Sequence, residues 1–405
     1  MKILYITSDP LEYSTSANMR NIALITGFIK NGHSVDTLSG KINLNSKSYD
    51  KSLKVKGLSE RYWLDMGELY SRMTVSKNDN RILKKILQFL RSFLYKIFVK
   101  LSLYDTKKKL VKEVRKLNIN KKYDTIISSS DPKSSHKIAE ELIRLNPSIT
   151  NEWIQYWGDP FASDINSSTL LPSFYIEKEE RRVLKKCDKA FYVSPLTLES
   201  QKVRYFEFSK KMFFLPIPYL EKYVIEKQKE NIDKNKIVLG YFGNYYSKDR
   251  NIMPLVDACK SAKKFKLILA GNSDVKLNSS DFDIYDRISN SEVKQLQSKI
   301  DVLVCICNKN GTQIPGKLYH YAATNLPILV LLDGNLKTEL KEYLDKFNRF
   351  IVCANDCKEI NKVLSEINFC DLNYDSFDGF DCKVIAKKML NKGELNWKKS
   401  ILMNC

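Results

Sequence analysis

The sequence predicts an α/β protein made of two successive domains, each a doubly wound parallel sheet. Three observations carry this. Strand-like runs alternate with helical ones, as in parallel sheets covered on both faces. The alternation stops at a charged, turn-poor bridge, 219–236, and then restarts. A chain of 405 residues also exceeds one ordinary core, so two domains of roughly 200 residues are expected.

The first domain is read as 1–218. Its strand 2–8, "KILYITS", leads into a helix over 14–33 and a strand over 34–40. A less regular stretch follows. Strand 123–132, helix 134–146, strand 152–160, helix 174–187 and strand 189–195 then complete the set. The second domain, 219–385, has strands at 237–244, 266–272, 282–288, 301–307, 327–332 and 350–353. Helices fall between them, for instance at 252–263 and 291–299, where Ser289 followed by Glu292 fits a capping box. Residues 386–405 read as a helical tail that can return to the first domain. Both strand sets end in small or polar residues, among them Ser8, Ser128 to Ser130, Gly243 and Gly271. Ligands of open parallel sheets bind at the carboxyl ends of the strands. Two such edges facing one another across an interdomain cleft suit a two-substrate enzyme.

A net charge of +20 asks for a polyanionic neighbour: nucleic acid, anionic lipid or phosphorylated substrates. No zinc spacing, recognition module or aromatic-interleaved basic motif supports nucleic acid, which is excluded as a partner. Nine scattered cysteines make no disulfide framework. Cys305 and Cys307, in the strand pattern "DVLVCIC", read as buried thiols, and a metal pair there lacks a partner histidine. The five-residue apolar run at the N-terminus is no signal peptide, and no window approaches a membrane span. These features place the protein in the cytoplasm, soluble or peripheral. Segment 81–101 carries apolar residues at 83, 86, 87, 90, 94, 97 and 101, a helical stripe. Twelve Lys/Arg between Arg81 and Lys116 face only Asp105 and Glu113. This basic amphipathic helix either packs on the core or lies on an anionic membrane at the inner face of the cell.

Chemistry concentrates in "IPGKLYHYAATNLPIL", 314–329, where a loop with Pro315, Gly316 and Lys317 opens a short helix. Free backbone N–H groups beside a cation would suit a phosphate. Lysine opposes the helix dipole at that end, and a bound phosphate would remove the penalty. Together with "ISSSDPKSSHKIA", "WIQYWGDPF", "NGHSVDTL" and "YFGNYYSKDRNIMPLVDA", this stretch resembles, over nearly the whole chain, the family 4 glycosyltransferases of the GT-B fold. The resemblance is to the type that builds bacterial surface polysaccharides, lipopolysaccharide O-antigen or capsule. It implies a retaining, metal-independent transferase without cofactor. The donor would be a nucleotide-diphosphate sugar and the acceptor a polyprenyl-linked or growing oligosaccharide.

What the resemblance implies for residues can be set beside their plain reading. Arg250, Lys248 and Lys317 would meet the leaving diphosphate, although charged residues of this kind are most often solvated. Asp159 would lie near the acceptor, although Asp-Pro routinely starts a turn. Ser16, in the loop 14–17, would face the donor phosphates. Gly243, Asn244, Arg287, Ile288, Thr312, Pro315, Gly316, Leu318, Tyr319 and His320 would complete the donor site. The family commonly carries two glutamates eight residues apart; here those positions are Thr312 and His320. A neutral imidazole can still bond a ribose hydroxyl. Losing both carboxylates leaves a second function open, a GT-B relative that binds or scaffolds. Asn325 stands where the family's glycine follows the helix, a place for the left-handed conformation.

Overall fold

The computed structural model describes residues 1–65, 93–94, 97–98, 100–226, 236–366 and 374–391, apart from residues 47, 166, 168, 263 and 279–281. Most of segment 81–101 and positions 392–405 of the expected tail lie outside the described residues. The described residues divide into two compact units, one within 1–216 together with 382–391 and one within 217–381.

Unit 1 holds a seven-stranded, wholly parallel sheet in the order β3-β2-β1-β4-β5-β6-β7. Its strands are β1 (Lys2–Ile6), β2 (Ser34–Gly40), β3 (Glu60–Leu64), β4 (Thr125–Ser129), β5 (Trp153–Trp157), β6 (Lys189–Tyr192) and β7 (Met212–Phe214). Strands β4 and β5 are buried along their whole length, as strands covered by helices on both faces must be. Helix α1 (Ser16–Lys30) follows β1, its first turn closed by the Thr15 hydroxyl accepting from the Asn18 N–H. Beyond β4 comes α2 (Ser134–Leu145), beyond β5 α3 (Ser173–Lys186), and beyond β6 α4 (Pro195–Arg204).

Unit 2 holds a six-stranded parallel sheet ordered β10-β9-β8-β11-β12-β13. These are β8 (Ile237–Phe242), β9 (Phe265–Ala270), β10 (Asp283–Tyr285), β11 (Val302–Ile306), β12 (Ile328–Leu332) and β13 (Ile351–Ala354). Helices α5 (Met253–Ser261), α6 (Asn290–Gln297), α7 (Lys317–Tyr321), α8 (Lys337–Asp345) and α9 (Cys357–Glu366) connect them. The Ser289–Glu292 capping box forms as expected. Leu239, Tyr241, Leu267, Val304 and Leu329 sit at the centre of a core closed by α5 and α9.

The last described helix, α10 (Cys382–Leu390), belongs to unit 1 and packs against α1. Gly27 permits the approach, since a Cβ there would fall 2.0 Å from the Cys382 carbonyl oxygen. Asn325 does not adopt the left-handed conformation anticipated for it. Asn348 is the only non-glycine residue with positive φ among those described. The Asn325 side chain instead accepts from the Ile225 N–H at 2.8 Å, tying down the chain that enters unit 2. No helix among the described residues is long and apolar enough to cross a membrane.

One buried carboxyl in unit 1 leads to a stability prediction. Glu180, fully buried on α3, accepts from the Ala162 N–H and the Tyr205 hydroxyl, both at 2.9 Å, through a single oxygen. Its other oxygen has no partner among the described residues, and burial raises the group to about 7. The folded state therefore holds the proton more tightly than the unfolded chain. That contribution is complete below the ordinary glutamate pKa and is lost as pH rises through about 7. Glu180→Gln should stabilise the fold by about 1–3 kcal/mol at about pH 8 and change little at about pH 4. Denaturant melts at the two pH values test it.

Candidate active site

The carboxyl edge of the unit 2 sheet gathers two cations around one tyrosine. Strand β8 ends at Phe242, and Gly243 follows with φ +149°, a conformation that suits glycine. The Lys317 side chain reaches this turn from the start of α7. Its Nζ donates to the Phe242 carbonyl at 2.8 Å and lies 4.2 Å from the centre of the Tyr241 ring. A Cβ on Gly243 would fall 2.1 Å from that nitrogen, so the glycine is what admits the ammonium. Arg250 comes from the loop after β8. Its Nε donates to Asn308 Oδ1 at 2.9 Å and its Nη1 reaches the Asn244 carbonyl at 3.4 Å. The Tyr241 hydroxyl donates to the same carbonyl at 2.9 Å, and Asn244 Oδ1 accepts from the Asn272 N–H.

The electrostatics of this edge are one-sided. Among the described residues neither Arg250 nor Lys317 is ion-paired to a carboxylate; carbonyl and amide oxygens hold them in place. Burial lowers the Lys317 ammonium to about 8, and the neighbouring Arg250 charge adds to the effect. Two like charges brought together without a counter-charge are costly, and an anion between them removes that cost. Asn308 and the Phe242 carbonyl, neither visible as a site residue in the sequence, are what aim the two cations.

The remaining donor-side candidates divide. Pro315 and Gly316 form the turn that starts α7, with Thr312 nearby in the same loop. Leu318 and Tyr319 are fully buried: the Tyr319 hydroxyl meets that of Tyr343 at 3.1 Å and its ring packs edge-on against Phe380. Their side chains are packed into the core. Their N–H groups are not free either, because Leu318 donates to the Pro315 carbonyl and Tyr319 to that of Gly316. So short a helix closes its first turn on itself, with the Leu318, Tyr319 and His320 N–H groups all bonded to Pro315 or Gly316 carbonyls. His320 is partly buried, no residue among those described bonds its ring, and burial lowers it to about 4. It is neutral near pH 7. Lys248 is 79% exposed beside Asp249 and is not brought to the cluster. Arg287 is exposed and Ile288 half-buried, in the turn between β10 and α6. Ser16 is the exposed first residue of α1, in unit 1.

Unit 1 carries a second group of charges at its own carboxyl edge. Asp159 follows β5, and Asp131 and Lys133 follow β4. Lys133 Nζ donates to Asp164 Oδ2 at 2.6 Å and to Asp131 Oδ1 at 3.2 Å. Burial raises Asp159 to about 7, helped by the charges of Asp131 and Asp164 and opposed by Lys133 and Arg20. Arg20, on α1, is 4% exposed; it donates to the Ser130 carbonyl and stacks 4.9 Å from the Tyr156 ring centre. Asp159 therefore holds its proton more tightly than an ordinary carboxyl does. The sequence reading found Asp159 but missed Asp131, Lys133, Asp164 and Arg20. Asp131 and Lys133 had a signal, the polar run "SSSDPK" directly after a strand.

No protein-family model matches the sequence, and no curated protein does. Solved structures do match in fold. A glycosyltransferase from Rickettsia africae is 13% identical with a TM-score of 0.57, covering 100% of this chain and 99% of its own. HepE of Anabaena, solved with UDP-glucose, is 10% identical with a TM-score of 0.53, covering 96% of this chain and 95% of its own. The lipopolysaccharide outer core galactosyltransferase WaaB is 10% identical with a TM-score of 0.52, covering 96% and 98%. Two parallel sheets with interspersed helices, matched end to end by these structures, give this chain the GT-B fold.

Proposed function

We propose that the chain is a glycosyltransferase of the family 4 type that takes a sugar from a nucleotide-diphosphate donor with retention and without a metal. The acceptor is a lipid-linked or growing surface polysaccharide, at the cytoplasmic face of the membrane. The observation that carries this reading is the pair Arg250 and Lys317, cations without a carboxylate partner among the described residues, around Tyr241 and Gly243. A diphosphate is the dianion such a pair fits. The complex of HepE with UDP-glucose supports a UDP-sugar as the donor class.

In this mechanism the sugar–phosphate bond breaks as negative charge grows on the leaving oxygen. Arg250 and Lys317 stabilise that charge, and the leaving oxygen takes the acceptor's proton. Asp159 orients the acceptor hydroxyl. His320 meets the donor ribose as a neutral group. Loss of one neutral hydrogen bond is worth about 0.5–1.5 kcal/mol, so His320→Ala should raise the donor KM roughly 2–12-fold with kcat held. His320→Glu should retain donor binding, since a carboxylate accepts from both diol hydroxyls. A loss of turnover with donor binding intact would contradict the ribose role.

Slow hydrolysis of a panel of UDP-sugars tests the function directly. The expected result is release of sugar with the donor's anomeric configuration, read by NMR before mutarotation. The glutamate positions occupied by Thr312 and His320 favour a second reading, a binding or scaffold subunit. Tight UDP binding with no hydrolysis or transfer of any donor would select it.

A further inference from the structure

The helix that carries Lys317 and His320 cannot hold itself. With five residues, α7 is far too short to be stable alone, so its place is set by what binds it. On one side it meets the end of β8, where Lys317 Nζ and the Tyr321 hydroxyl both donate to the Phe242 carbonyl, at 2.8 and 3.4 Å. On the other side two stretches distant in sequence hold it: 217–225, by which the chain enters unit 2, and 374–381, by which it leaves. Carbonyls at the end of a helix need partners from outside it. Here Ala322 accepts from the Phe377 N–H at 2.9 Å and Ala323 from the Tyr223 N–H at 3.2 Å.

Side chains complete the attachment. Asn325 Oδ1 accepts from the Ile225 N–H at 2.8 Å, and Asn325 Nδ2 donates to the Ile225 carbonyl at 3.5 Å, so one amide satisfies both backbone groups of Ile225. The Tyr223 hydroxyl donates to Gln297, the last residue of α6, at 3.2 Å. Phe380, fully buried, lies edge-on to the Tyr319 ring. Its carbonyl accepts from the Tyr219 N–H at 3.0 Å, which joins the entering stretch to the leaving one. The turn between α7 and Asn325 is itself fixed. The Thr324 hydroxyl donates to the Tyr321 carbonyl at 2.8 Å, and buried Arg349 donates to the Thr324 and Leu326 carbonyls at 2.8 and 2.9 Å.

We propose that Asn325 is a positioning residue for the anion site, fixing α7 to 217–225 and so setting where Lys317 and His320 stand. Its side chain bonds Ile225 and not the anion site, so it acts through the helix. Lys317 begins α7 and Asn325 lies four residues past Tyr321, its last, with a fixed turn between. A shift at the Asn325 end therefore reaches the lysine, and misplacement by about 1 Å is enough to weaken an ionic contact markedly. Linkage makes the effect reciprocal: an anion held at Lys317 must steady the Ile225 contact as much as that contact favours the anion. Such a role rests on the nucleotide-diphosphate donor proposed above, so the probe is UDP.

UDP titration of the full chain, with hydrogen exchange across 217–225, tests it. Asn325→Ala should weaken UDP binding by about 3- to 10-fold, the worth of one neutral hydrogen bond. Asn325→Asp, whose carboxylate still accepts from the Ile225 N–H, should recover most of that loss. In a Lys317→Ala background Asn325→Ala should cost clearly less, since the ammonium it places is gone. In the parent, saturating UDP should slow exchange of the Tyr223 and Ile225 amides. Parent affinity in Asn325→Ala, even with a lower melting temperature, would overturn the positioning role and leave the donor site standing. Equal costs in both backgrounds would overturn it too. Exchange unmoved by UDP would do so whether or not the variant folds. A parent that binds no UDP would remove the donor reading and the positioning role together, before any variant is made.

Discussion

Arg250→Ala and Lys317→Ala are each expected to lower kcat/KM by about 30- to 1000-fold, the range that follows from losing about 2–4 kcal/mol of stabilisation at a developing charge. Neither change removes a core side chain, so folding should survive. The double variant should lose less than the product of the single losses, because both cations act on one diphosphate. The lysine adds a pH signature. Its folded-state value of about 8 makes it charged at neutrality and neutral above, so donor affinity should fall as pH rises past about 8. Lys317→Arg should shift that fall to higher pH, since a guanidinium stays charged. Wild-type turnover by both alanine variants would remove the proposed diphosphate site.

Gly243→Ala should have an effect of similar size for a different reason. The new methyl would sit 2.1 Å from Lys317 Nζ, at a backbone φ of +149° that side chains rarely adopt. The ammonium must leave its bond to the Phe242 carbonyl, and the turn after β8 is strained by roughly 1–3 kcal/mol. We expect kcat/KM to fall by at least about tenfold, together with a lower melting temperature. A double-mutant cycle separates the two causes. If displacement of the ammonium is the main effect, Gly243→Ala should cost clearly less activity in a Lys317→Ala background than in the parent. Equal costs in both backgrounds would place the damage in the backbone alone.

The fold was legible where periodicity was strong. Strands such as β1, β11 and β12 are largely apolar runs buried on both sides, and the restart after the charged bridge marked the second unit. Strand β3 was missed because "ERYWL", at the sheet edge, is mixed in polarity and mostly half-buried. Strand β7 was missed because three residues give no period. At the site, Arg250, Lys317 and Gly243 could be read from their places beside strand ends. Arg20 could not, since an arginine on an amphipathic helix ordinarily faces water and only tertiary packing buries it under Ser130. Nor could the closure of α7 on its own first turn be seen, because it depends on how short the helix is.

Calorimetric titration of UDP into the parent, Arg250→Ala and Lys317→Ala proteins tests the central claim most directly. UDP carries the diphosphate and ribose without the sugar or any chemistry, so the measurement isolates the anion site. The account predicts saturable binding to the parent, weakened by at least about tenfold in each variant, that is by about 1.4 kcal/mol or more. Binding of equal strength in all three proteins, or no binding to the folded parent, would contradict it.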